Sequence, residues 1–351
     1  MTDDHLLPVY LTVPWLGDVL AADVASFTVK RIGDGLVGMN LRLGITYAGA
    51  GTTGPSTVVA KLPSPDETSR ATGIALRNYE REVLFYRDLA YTLDIRIAAC
   101  HRAEWDPESG DFVLLLEDLA PGAQGNQLTG CTVEQATTAV VELAKLHGPR
   151  WDDPALHDIE WLGRRTSAED TDRLVMMWNL FVPGFLATYS AYLTPEAIAL
   201  VEGFNSRIGD WADGRLGPWT VTHGDYRLDN LMFASAEGGY PVATVDWQSP
   251  GHGPAMGDVS YFLGAGLLPG DRRRVERELV EAYGDAVEGY GVVIDREWMW
   301  LQYRRDTFAG IIMSVVASQI VGASDRSEAL FAAMATRHTQ HALDHDAVAL
   351  L

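Results

Sequence analysis

The chain has 351 residues, a net charge of −21, 47% apolar residues and 21% charged ones. That balance describes a folded globular protein, long enough for two domains or one large bilobal unit. It excludes a nucleic-acid binder and disfavours an anionic membrane surface, because no basic run is longer than Arg272-Arg273-Arg274.

Met1 to His5 carries acids and no basic region ahead of an apolar run, so no secretory signal is expected and a cytoplasmic location follows. Cys100 and Cys131 are too few for a disulfide framework or a metal cage and read as free thiols. Lysine is scarce, with Lys30, Lys61 and Lys145 standing among 27 basic residues. Any lysine inside an apolar strand therefore stands out.

Residues 25–62 read as strands. Residues 25–32 lead to a glycine turn at Gly33, Gly35 and Gly38, and residues 40–47 then alternate polar and apolar. Residues 57–62 form the next strand, closed by Pro63 and Pro65, with Asp66 placed to cap a helix running to about Leu89. On that helix Tyr79, Glu82, Phe85, Tyr86 and Leu89 share one face, which puts the Glu82 carboxylate on an apolar stripe. Residues 111–117 form a continuous buried strand, and Glu117-Asp118-Leu119-Ala120-Pro121-Gly122 breaks it. The hinge between lobes is placed there, giving 1–117 and 118–351.

Past the hinge the chain turns helical. Thr132 and Gln135 form a capping box for a helix ending near His147, and Thr194-Pro195 starts another. Strands return at residues 219–222 and 241–245, taken together as a hairpin, and from about Ala255 the chain is helical. Phe308 to Ala323, the most apolar stretch, is shorter than the ~20 residues of a membrane span and reads as a core helix.

The densest signal is His223-Gly224-Asp225, with Asn230 five residues on and Asp246-Trp247-Gln248 ending a later strand. Phosphoryl transfer needs such a set: one carboxylate to orient the attacking hydroxyl, and a carboxylate with an amide oxygen to hold Mg²⁺. Lys61 lies on the apolar strand Val58-Val59-Ala60-Lys61, where burial is costly unless the charge is paired. Glu82 is the preferred partner. Glu80 competes but points about 160° away around the helix, toward Arg77.

The array His-Gly-Asp-x4-Asn, then Asp-Trp-Gln, then Gly257-Asp258-Val-Ser-Tyr-Phe-Leu263 resembles the aminoglycoside phosphotransferase/choline kinase superfamily. Glutamine after Asp-Trp and the Asn-Leu-Met-Phe233 ending are most similar to its ecdysteroid-kinase-like (CHK-kinase-like) branch. The resemblance implies an α+β, protein-kinase-like bilobal fold: a β-rich first lobe with one main helix, and a mostly helical second lobe. It implies an ATP-dependent, Mg²⁺-dependent kinase acting on the hydroxyl of a small molecule. Asp225 would be the catalytic aspartate and Asn230 and Asp246 the Mg²⁺ ligands. Lys61, held by Glu82, would contact the α/β-phosphates, and backbone groups of Leu116, Glu117 and Leu119 would meet adenine. Asp258 would brace the catalytic loop, with His223 as a structural loop residue.

Four weaker signals remain. Gly33-x-Gly35-x-x-Gly38 has the spacing of a phosphate-covering loop or of a plain β-turn. Arg227 is placed to meet a phosphate or substrate anion, or solvent. His147 is read as a core or capping group. His338, His341 and His345 have helical spacing that suits a metal, but a solvated terminal helix is the preferred reading.

The acceptor is less determined. Most of the acid excess lies after residue 117, which suits a cationic aminoglycoside or choline-like compound. The same region carries aromatic stripes, from Met176 to Tyr192 and from Trp298 to Phe308, which read as ordinary core packing or as contacts for a largely apolar, steroid-like alcohol; the resemblance to the ecdysteroid-kinase-like branch makes that alcohol the preferred acceptor. A hydroxyacyl or hydroxy-acid kinase, and a catalytically silent nucleotide-binding protein, also stay open on the sequence.

Overall fold

The computed structural model describes residues 3–33, 37–49, 51, 54–163, 167–234, 239–322 and 324–351. The chain forms two compact units. The first comprises Met1–Tyr91, Ile97–Pro121 and Val245–Ser249; the second comprises Thr92–Arg96, Gly122–Thr244 and Pro250–Leu351. The main crossing thus falls four residues beyond the expected hinge at 117, and two short segments cross over elsewhere.

The first unit opens with α1 (Val13–Leu20), capped by the Thr12 hydroxyl. Its sheet contains β1 (Val24–Ile32), β2 (Gly38–Tyr47) and β3 (Thr57–Pro63), which are consecutive antiparallel neighbours. Val58, Ala60 and Leu62 project from β3 into a core with Leu41, Leu43 and Leu16, while Lys61 takes the opposite face by strand alternation. The single helix expected after Asp66 is broken. Asp66 does cap α2 (Glu67–Ala75), but the chain turns left-handed at Arg77 (φ 57°) before α3 (Asn78–Leu84), and Phe85–Leu89 widens into a π-helical turn. The apolar stripe survives because the break lies upstream of it: Tyr79, Glu82, Phe85, Tyr86 and Leu89 are all buried. Two further strands, β4 (Cys100–Trp105) and β5 (Phe112–Glu117), complete the sheet order β1-β2-β3-β5-β4. Strand β4 was not expected from the sequence; it is an edge strand whose residues are mostly exposed.

Past Pro121 the second unit carries β6 (Ala123–Gln124) and α4 (Val133–His147), the latter opened by the expected Thr132–Gln135 capping box. Helices α5 (Ala168–Tyr189), α6 (Pro195–Phe204) and α7 (Ile208–Asp213) follow. Strand β7 (Trp219–Thr222) does not pair with the 241–245 segment as expected. It pairs with β10 (Gly251–Pro254), whereas β8 (Leu231–Phe233) pairs with β9 (Val242–Thr244) and with β6. The chain ends in α8 (Met256–Gly266), α9 (Pro269–Glu288), α10 (Arg296–Arg305), α11 (Thr307–Ile320) and α12 (Asp325–Asp344).

Its core joins Trp178 and Phe185 of α5 to Phe204, Phe308, Ile311 and Phe331. Helix α11 is the expected core helix. Residues Ala168–Tyr192 are long and apolar enough to cross a membrane by length and composition, yet Trp178, Phe185 and Tyr189 of this stretch are buried in that core.

Candidate phosphotransfer residues

In the first unit, β3 carries Lys61 opposite Asn40 of β2 and Leu114 of β5. Its Nζ donates to Glu82 Oε1 and to Asp246 Oδ1, each at 2.7 Å. The Trp247 backbone N–H donates to the same Glu82 oxygen at 3.2 Å. The Trp247 ring stacks on Phe85 at 3.9 Å, which fixes the segment that brings Asp246 in. Asp246 itself holds a left-handed φ of 68°, a conformation that aspartate tolerates better than most residues.

Lys61 is 7% exposed and Glu82 1%. Burial opposes the lysine charge, but Asp246 and Glu82 more than offset it and hold its pKa above the ordinary lysine value. Burial pushes the Glu82 carboxyl upward, with Lys61 acting against that shift. Glu80 takes no part, since it pairs with Arg77 at 2.6 Å, as its place on the helix implied.

Gly38 is packed beside this cluster. A Cβ there would lie 3.3 Å from the Leu62 carbonyl oxygen, a tight approach, and 3.6 Å from Lys61 Cε, in ordinary contact. The preceding Val37 carbonyl accepts from the buried Tyr79 hydroxyl, which anchors the end of the glycine turn to α3. Gly35 lies outside the described residues. Leu116 and Glu117 are committed to the ladder with Val59 and Val58, the Glu117 N–H donates to the Ala99 carbonyl at 2.8 Å, and Leu119 is buried.

In the second unit, β7 delivers the chain to His223-Gly224-Asp225. Gly224 takes a φ of 78°, a turn that glycine enters without steric cost. Asp258, in the first turn of α8, accepts the His223 N–H at 2.6 Å and the Gly224 N–H at 3.0 Å, one on each carboxylate oxygen. His147 Nε2 lies 3.4 Å from the same carboxylate, and its Nδ1 meets the Tyr283 hydroxyl at 2.7 Å. Burial raises the Asp258 pKa, but His147, His223 and the backbone donors outweigh it and leave the carboxyl below the ordinary aspartate value. His223 Nδ1 accepts the Asp225 N–H at 3.2 Å, which tightens the turn from within.

The Asp225 carboxylate is surrounded by donors. Asn230 Nδ2 donates to Oδ2 at 3.0 Å and to the Asp225 carbonyl at 2.9 Å. Arg227 Nε lies within 3.2 Å of both carboxylate oxygens, and its Nη1 reaches Asp229 at 2.7 Å. Burial opposes the Arg227 charge, but Asp225, Tyr261 and Asp229 together hold its pKa above the ordinary arginine value. Arg227 is therefore an internal partner of the loop rather than a solvated side chain. No role was expected for Tyr261, whose hydroxyl donates to Asp225 Oδ1 at 2.8 Å. Its signal was present: it lies three residues after Asp258, on the same side of α8.

The expected solvated C-terminal helix is overturned. His338 and His341 are fully buried and His345 nearly so, because α12 packs against α8 and α11 and not into solvent.

The model of the phosphotransferase enzyme family matches residues 51–299, more than half of the chain. No curated protein matches it. Among solved structures, choline kinase from Cryptosporidium parvum is similar at 10% identity, with a TM-score of 0.57 over 91% of this chain and 89% of that one. An ethanolamine kinase from Plasmodium vivax is similar at 11% identity, with a TM-score of 0.54 over 91% and 84%. The streptomycin–ATP ternary complex of APH(2″)-IIa is similar at 12% identity, with a TM-score of 0.53 over 89% and 94%. These likenesses share a kinase-like α+β fold, and with the family match they make this chain a member of the phosphotransferase enzyme family.

Proposed function

We propose that the enzyme transfers the γ-phosphate of ATP to the hydroxyl of a largely apolar small molecule. Lys61, locked by Glu82, contacts the nucleotide phosphates, with backbone N–H groups near Gly38 beside it; because Leu116 and Glu117 are held in the ladder, the backbone around Leu119, just past β5, meets the adenine. Asp225 orients the acceptor hydroxyl and takes its proton. Asp258 and His223 hold the loop that carries Asp225.

Asn230 and Asp246 suit Mg²⁺. The Asn230 amide nitrogen is committed to Asp225, which leaves its oxygen free to serve as a hard ligand, and the Asp246 carboxylate is a hard ligand of the same kind. When bound, Mg²⁺ neutralises charge on the phosphates.

One observation carries the choice of acceptor. The Tyr261 hydroxyl reaches Asp225, while its ring belongs to an apolar cluster with Leu330 and Met334, against which Leu128 and Met313 pack. The acids beside it are already matched by guanidinium groups: Asp225 by Arg227, and Asp229 by Arg227 and Arg326. The surroundings of Asp225 are thus apolar on the Tyr261 side, and the neighbouring acids leave no spare negative charge for an ammonium group.

An aminoglycoside is the second reading, favoured by the acid excess and by the streptomycin bound in one similar structure. Incubating the protein with labelled ATP, Mg²⁺ and separate pools of lipophilic alcohols, aminoglycosides and hydroxy acids tests the choice. Label is expected in the lipophilic pool; label confined to the aminoglycosides would overturn it.

A further inference from the structure

We infer that Glu276, His341 and His345 form a binding site for a transition-metal ion of the zinc type. His341 and His345 are one helical turn apart at the end of α12, and Glu276 approaches from α9. Their ligand atoms all lie within 4.8 Å of one another. His341 Nε2 is 3.6 Å from Glu276 Oε2, and His345 Nε2 is 3.2 Å from it. Tetrahedral zinc with nitrogen and oxygen ligands at about 2.0–2.1 Å places neighbouring ligand atoms ~3.3 Å apart. Both separations already match that edge to a few tenths of an ångström.

A second observation is independent of the spacing. The His341 ring is fully buried, and neither of its nitrogens has a hydrogen-bond partner. Buried polar groups in folded proteins nearly always find one, and an ion or ordered water supplies it where protein groups do not. The surroundings also suit a ligand set. The Trp300 and Tyr303 rings meet His345 edge-on, which fixes the orientation of that ligand, and the Tyr303 hydroxyl donates to Glu276 Oε2 at 2.9 Å.

Arg272 is the competing charge, since its Nη1 donates to Glu276 Oε2 at 2.7 Å. The same guanidinium also binds Asp344, so Glu276 can turn toward an ion without leaving a buried arginine uncompensated. Two imidazoles select zinc-type ions over Mg²⁺ and Ca²⁺, which take oxygen ligands. The site is therefore chemically distinct from the Asn230 and Asp246 pair. Three protein ligands leave a fourth position for water. The ion would staple α9 to the end of α12.

The test uses the full chain, dialysed against a chelator and titrated with Zn²⁺ by calorimetry and with Co²⁺ by visible absorption. One equivalent of Zn²⁺ is expected, with intense four-coordinate Co²⁺ bands and a Tm that rises with Zn²⁺ concentration. His345→Ala removes the least buried ligand and is expected to weaken binding at least tenfold; His341→Gln is expected to do the same. Absence of binding, or binding unchanged in His345→Ala, would overturn the site. So would a weak six-coordinate Co²⁺ spectrum, which is what oxygen ligands elsewhere in the chain would give. If His341→Gln fails to fold, His345→Ala alone decides.

Discussion

Lys61 and Asp225 are held in place by different physics. Lys61, on β3, sits among charges supplied by two distant segments, α3 and the 245–249 return, and it is nearly dry. Asp225 sits on a local turn whose geometry comes from backbone N–H groups captured by one carboxylate and from neighbours two to five residues away. The first arrangement stands or falls with the tertiary fold, because unpaired buried charge is expensive. The second is set by loop conformation and is braced at one point, Asp258. Mutations in the first cluster should thus change stability and activity together, whereas mutations in the second should separate them.

The sharpest separation is expected at Asp225. Asp225→Asn keeps the shape of the side chain and removes its capacity to accept a proton. It should lower kcat about 10³-fold, within the usual range for a lost general base. Its thermal unfolding and ATP binding should stay close to those of the parent; a parallel loss of folding would erase the contrast. Lys61→Met should fail on both counts. It leaves Glu82 and Asp246 facing each other without a cation, a loss of about 3 kcal/mol in denaturant unfolding, together with weakened nucleotide binding. Adding Glu82→Gln to Lys61→Met should restore part of the stability and none of the binding.

Asp258→Asn lies between these cases. Replacing a charged acceptor of two backbone N–H groups should cost about 2 kcal/mol and lower kcat by about tenfold through a looser turn. Its pH signature should differ from that of Glu82. Asp258 has a lowered folded pKa, so its contribution is complete above the unfolded value of 3.8 and is lost as pH falls below it. Glu82 is raised, so the folded state favours its protonated form, and that contribution fades as pH rises above 4.5. Unfolding measured between pH 3 and 7 should show the acid-side loss flattened in Asp258→Asn and retained in the parent.

The smallest effect is a control outside both clusters. Asp66→Ala removes the cap of α2 and should cost about 1 kcal/mol with kcat unchanged.

The same contrast explains what could be read from the sequence. The Lys61–Glu82 pair was legible because helical period alone separates Glu82 from Glu80. The loop around Asp225 was legible because its spacing is local. That Asp246 would reach Lys61 as well was not, since the contact joins residues 185 apart in the chain. The pairing of β7 with β10 was missed because Gly251-His252-Gly253-Pro254 has none of the apolar alternation that marks a strand. Helix α12 was misread because its buried C-terminal half carries Arg337, His338, Thr339 and His341, polar residues that a reading of pattern assigns to solvent. Its burial comes from neighbouring helices: Gly264 of α8 and Gly310 of α11 supply no side chain where the His338 ring lies.

The return of residues 245–249 to the first unit has a consequence for how this protein can be divided. A fragment ending at Pro121 would contain the whole five-stranded sheet and still be incomplete. Lys61 would meet one acid instead of two, the Glu82 oxygen would lose its backbone donor, and Phe85 would lose the ring stacked upon it. The first unit is thus not a cassette that recombination could move in one piece, because its closing segment is encoded inside the stretch that builds the second.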